Sequence, residues 1–118
     1  MSLNKIETIN NFEKKYRNND YNGINNGNSN FKIINGTIPI ILSAPHAVKQ
    51  SRKGLIKEED RLTGAIVEYL CMATGSNGIV RTCNLNDDPN YENDGEALKY
   101  KQAILNLIDE KNIGILID

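Results

Sequence analysis

The chain has 118 residues, a formal net charge of −1, a pI near 5.8 and two cysteines. That is one domain, long enough for a single hydrophobic core. The balanced charge gives no electrostatic footing for nucleic acid or an anionic membrane, no apolar run approaches the ~20 residues of a membrane span, and the start has no leader-peptide pattern.

Residues 1–30 differ in composition from residues 31–118 and are set apart as an amino-terminal segment. Ile6, Ile9, Phe12 and Tyr16 recur at helical spacing, which predicts a short peripheral helix, with an edge strand as the alternative. The stretch from Asn18 to Asn30 is rich in Asn and Gly and is expected to be a surface loop. Two β-branched runs, 31–35 and 38–44, flank Asn35-Gly36, the pair a type I′ hairpin turn prefers. Pro39 interrupts pairing in the second arm, which is otherwise continuously apolar, as in a strand covered on both faces.

The polar, basic stretch from Val48 to Lys57 reads as a loop. A helix is expected from about Glu59 to Ala73, with Leu62, Ile66, Tyr69 and Leu70 on its apolar stripe and Thr74-Gly75 as its stop. Glu58, Glu59 and Asp60 would then complement the positive end of its dipole. A strand at 78–83, a polar loop from Asn84 to Asn93, a helix from about Asp94 to Lys111 and a strand at 113–117 complete the pattern. The order β-β-α-β-α-β predicts an α/β fold, a mostly parallel sheet with helices on both faces and right-handed crossovers. The abrupt stop at Asp118, straight after an apolar strand, suggests a domain incomplete at its carboxyl end, with that strand left uncovered and open to self-association. Cys71 and Cys83 lack metal or redox spacing and are expected to be reduced core thiols of a cytoplasmic protein.

His46 is the only histidine and stands where the apolar strand breaks at Pro45. A strand end at the carboxyl edge of a parallel sheet is where α/β proteins present chemistry. An imidazole and a carboxylate converging there are the first two ligands of a typical hydrolytic zinc site. Only one of the acidic trio can face His46, because neighbours on a helix splay ~100° apart. Asp60 and Glu59 are the candidates. Arg52, Lys53, Arg81 and Asn86 lie on segments leading to the same edge, and an arginine there suits a substrate carboxylate. No Gly-rich phosphate loop follows any strand, which argues against a phosphate binder.

Three segments together, Ile38-Pro39-Ile40-Ile41-Leu42-Ser43-Ala44-Pro45-His46, the acidic run before Thr63-Gly64, and Asn84-Leu85-Asn86-Asp87-Asp88-Pro89-Asn90-Tyr91, resemble the N-formylglutamate amidohydrolase family. The Pro-His step is the most specific of them, and the resemblance spans residues 31–118. It implies a zinc-hydrolase fold of the carboxypeptidase and phosphorylase type. It also implies zinc held by His46, by Asp60 or Glu59, and by a second histidine in a later Asp-x-His turn. Asp118 matches the Asp of that turn, and the sequence ends there. The resemblance therefore implies a metal-dependent amidohydrolase acting on a small N-acyl amino acid or related amide, inactive in this chain for want of the third ligand. The rival is a non-catalytic α/β binding module or degenerate paralogue in which His46 is structural.

Overall fold

The computed structural model describes residues 3–24 and 29–118. Its elements are α1 (Leu3–Tyr21), β1 (Phe31–Ile34), β2 (Ile40–Ala44), β3 (Gln50–Arg52), β4 (Leu55–Lys57), α2 (Thr63–Thr74), β5 (Asn77–Arg81), α3 (Gly95–Lys111) and β6 (Ile115–Ile117). One mixed sheet has the strand order β1-β5-β2-β6, with β5, β2 and β6 parallel and β1 antiparallel at one edge. The four expected strands are present, and the expected parallel trio is parallel.

Alternation along the buried strands divides the core in two. Leu42, Ala44 and Val80 join Val67 and Cys71 of α2 and Tyr16 of α1 on one face. Ile41 and Ile79 join Tyr100 and Leu107 of α3 on the other. Helices on both faces explain why β2 and β5 read as continuous apolar runs. The amino-terminal helix is longer and more deeply placed than a peripheral one: Tyr16 is 1% exposed, and α1 packs along α2. Regular helix ends at Arg17, because Asn18 is extended and Asn19, Asp20 and Tyr21 are left-handed. Part of the expected Asn-rich loop, residues 25–28, lies outside the described residues.

The Asn35-Gly36 hairpin does not form, since β5 lies between β1 and β2. The connection instead wraps the amino end of β5 around the buried Asn77 side chain. Asn77 Oδ1 accepts the Gly36 N–H at 2.8 Å, and its amide donates to the carbonyls of Ile38 and Ile40. The Thr37 and Ile38 amides both donate to the Gly75 carbonyl. Gly36 serves close approach and no turn: a Cβ there would stand 2.2 Å from that carbonyl oxygen. Pairing energy that an isolated hairpin would supply is replaced by β5, which bonds on both of its edges.

The basic stretch after His46 is a hairpin, β3 paired with β4. Lys53 and Gly54 form its two-residue turn with φ of 51° and 77°, the positive pair a type I′ turn needs. The second helix starts at Thr63, four residues later than expected. Glu58 to Asp60 run outside it because the Asp60 N–H is engaged by the His46 carbonyl at 2.8 Å, and Leu62, at φ 70°, then swings the chain into α2. The acidic trio therefore does not serve a helix dipole. No helix among the described residues is long and apolar enough to cross a membrane.

Candidate functional site

The parallel strands β5, β2 and β6 all deliver their carboxyl ends to one edge. From β2 the chain crosses through α2 to β5 on one side, and from β5 through α3 to β6 on the other. Such a reversal of strand order opens a crevice at the carboxyl end of the central strand. A crevice of about 230 Å³ lies there, lined by His46, Asp60 and Asp118 together with Ser43, Thr63 and Asn90.

His46 is buried, and both ring nitrogens are engaged. Nε2 lies 2.9 Å from Asp88 Oδ1. A carboxylate there only accepts, so Nε2 carries a proton and donates it. Nδ1 faces the crevice, 3.4 Å from Asp60 Oδ2 and 3.5 Å from the Lys57 ammonium. Asp60 is held by the backbone bond from its own N–H to the His46 carbonyl, and its side chain is 57% exposed at the mouth.

Asp88 is the anchor and was not among the residues singled out from the sequence. It is 0% exposed, and besides His46 it accepts from Arg52 Nε and from the Asn90 backbone N–H. Burial alone would push its carboxyl up, but the bonds from His46, Arg52 and Asn90 outweigh that and hold it below its ordinary value. The local signal was Asp88-Pro89-Asn90, whose first side chain caps the turn two residues on. Nothing in that signal reports burial, because the polar loop context is the same for a solvated Asp.

The other expected site residues are dispersed. Glu59 is buried, with Arg61 at 3.6 Å as its ion partner, and it does not line the crevice. Arg52 is brought next to the site by β3, where its guanidinium bonds Asp88 and lies over the Tyr91 ring with Lys53 alongside. Arg81 turns inward: it is buried and donates to Asp87 Oδ1 at 2.6 Å and to the Cys83 carbonyl. It braces the loop that carries Asp88 and does not reach a substrate at this edge. Asn86 is exposed at a left-handed turn, with its N–H bonded to Asn84 Oδ1, outside the crevice lining. Cys71 and Cys83 are free and buried, and burial raises both thiols, Cys71 to about 11 with Glu68 adding to the shift.

Two donors at this edge suit a metal ion. Zn–N and Zn–O bonds near 2.1 Å at a tetrahedral angle put the two donor atoms about 3.4 Å apart, and His46 Nδ1 and Asp60 Oδ2 are separated by 3.4 Å. The Asp88 bond to the opposite nitrogen is the usual support of a metal-bound imidazole. Among the described residues no group of three His, Cys, Asp or Glu side chains is arranged to hold a metal ion. The fit therefore extends to two ligands. No family model, curated protein or solved structure matches this chain.

Proposed function

We propose that the crevice is the two-ligand half of a hydrolytic metal site, and that the chain is of the metal-dependent amidohydrolase type, its substrate a small N-acyl amino acid or related amide. The observation that carries the reading is the His46 imidazole, with Nε2–H fixed on a buried carboxylate and Nδ1 aimed at a second carboxylate one tetrahedral edge away. Its place at the reversal of strand order supports the same reading. His46 and Asp60 would hold zinc, which when bound polarises an amide carbonyl and lowers the pKa of a bound water. Asp88 fixes the imidazole tautomer and orientation. Arg52 and Lys53, both over the Tyr91 ring, would offer positive charge to the carboxylate of an acylated amino acid. Hydrolysis asks for a third ligand, so the reading is tested on metal binding and not on turnover.

Titration of the chain with Zn²⁺ by calorimetry, and with Co²⁺ by visible absorption, is expected to show one weak saturable site. His46→Ala should abolish it, and Asp60→Asn should weaken it at least tenfold. Lys57→Met should tighten it, since the ammonium at 3.5 Å from Nδ1 competes with a cation. That same ammonium favours the second reading, a metal-free binding module in which Lys57 and Asp88 clamp a structural histidine. No saturable binding, or binding indifferent to His46→Ala, would establish the second reading and overturn the first.

The partner side of the proposal is self-association through β6. Among the described residues this strand pairs with β2 alone, which leaves its other edge without a strand partner there, and Ile115, Leu116 and Ile117 are 53%, 46% and 54% exposed. The apolar surface continues across Ile117 to Ile66 and Leu70 of α2. A second copy pairing edge to edge would cover both. Light scattering against concentration should show species above the monomer, and Leu116→Lys should return the chain to monomer. A wild-type monomer across the whole concentration range would exclude it.

A further inference from the structure

The amino-terminal helix and the turn that follows it touch all three segments that build the crevice, and the chemistry proposed above uses none of these contacts. Glu13 is at their centre. Its side chain is buried between α1 and the start of α2. Oε2 accepts both the Tyr21 hydroxyl and the Leu62 backbone N–H at 2.8 Å, while Oε1 is buried with no hydrogen-bond partner among the described residues. A half-satisfied buried carboxylate is a poor choice for packing alone, where an apolar side chain of the same length would do better. What it does here is hold Leu62 in the left-handed conformation that turns the chain from the extended acidic segment into α2. Two residues before Leu62 is Asp60.

Tyr21 and Asn22 reach the other two segments. The Tyr21 carbonyl accepts the Lys49 N–H at 2.7 Å, on the loop leaving His46. The Asn22 carbonyl and side chain both bond Asn84, at 2.8 and 2.9 Å, on the loop that goes on to Asp88. The three consecutive left-handed residues Asn19, Asp20 and Tyr21 aim these groups, an arrangement non-glycine residues adopt only when surrounding contacts enforce it. Arg61, next to Asp60, lies over the Tyr21 ring at 5.2 Å.

We propose that Glu13 is a positioning residue: through Tyr21 and Leu62 it clasps α1 and its left-handed exit onto the three loops and so sets the spacing of His46, Asp60 and Asp88. The consequence for metal affinity rests on the function proposed above, whereas the clasp itself does not. The test compares Glu13→Met, which fills the same space without an acceptor, with Glu13→Gln, which retains an acceptor for Leu62. Hydrogen exchange followed by mass spectrometry, and Zn²⁺ titration, are read on both variants and the parent. Glu13→Met is expected to speed exchange of the Glu58–Leu62 segment at least tenfold, with β5 still slow, and to weaken Zn²⁺ binding about tenfold. Glu13→Gln should restore most of both. Equal exchange of that segment in the Met and Gln variants overturns the clasp, whereas faster exchange in Glu13→Met with Zn²⁺ affinity unchanged overturns its control over the spacing of His46 and Asp60. A parent chain that binds no Zn²⁺ overturns the metal reading alone, and the Met-against-Gln exchange contrast then decides the clasp by itself.

Discussion

Asp88→Ala is expected to destabilise the fold by about 3 kcal/mol, because removing one partner from a buried charged cluster leaves the others unpaired. Three donors lose their acceptor together: the His46 imidazole, the Arg52 guanidinium and the Asn90 amide. The Arg52 end is half-exposed and can rehydrate, which holds the loss to the lower part of the range for fully buried pairs. Urea denaturation followed by circular dichroism measures it, and a loss under 1 kcal/mol would show that the cluster is held by its surroundings. The same carboxyl governs an acid limb. Its folded-state pKa lies below its ordinary value near 3.9, so the folded chain binds fewer protons there than the unfolded one. Its contribution is fully present above about pH 4 and is lost as pH falls through the folded-state pKa. Glu68 acts in the same direction: burial opposes its ionisation, but Lys15, Lys32 and Tyr16 together hold it lowered. Asp88→Asn should flatten only part of the decline in stability below pH 4, the remainder being shared by Glu68 and the other lowered carboxyls, Asp20 and Glu96.

Tyr100→Ala is expected to remove about 4 kcal/mol, in the range for emptying a large aromatic site in a core. Tyr100 is the centre of the α3 face, packed with Ile41, Ile79 and Leu107 and edge-on to Phe31 at 5.7 Å between ring centroids. Its hydroxyl donates to the Ile79 carbonyl at 3.1 Å, which leaves Ser43 Oγ, 3.0 Å away, as the donor to the tyrosine oxygen. Tyr100→Phe keeps the ring and should lose only about 1 kcal/mol, the net value of a hydrogen-bonded pair. Ser43 lines the crevice, so the phenylalanine variant also frees a hydroxyl beside His46. Equal losses in the two variants would mean that the hydroxyl bonds, and not the ring, hold α3 to the sheet.

The class of the fold was legible in the amino-acid order, since period and apolar content are local properties. The runs at β2 and β5 and the stripe of α3 report elements buried on two faces or one, whatever their neighbours. His46 at a strand end was legible for the same reason: Pro45 must break the ladder where the imidazole begins. Pairing partners were not legible. Asn35-Gly36 has the composition of a hairpin turn, yet β5, forty residues later, inserts between the two strands, and the Asn77 side chain holds the connection open. The Lys53-Gly54 hairpin is the converse, a turn with an ordinary first residue that only its paired strands reveal.

The ring of contacts around His46 belongs to the tertiary structure alone. Asp88 and Asn86 look alike in sequence, polar residues of one loop, and differ only in that Asp88 is turned inward by Arg52, His46 and its own Asx turn. Asp60 faces the imidazole because a backbone bond to His46 carries it there, where helical spacing from Glu59 predicted a different geometry. Glu13 and Tyr21, remote in sequence, set the path of that segment. Burial of a charge is decided by what converges on it, and convergence of segments far apart in sequence is not written in any one of them.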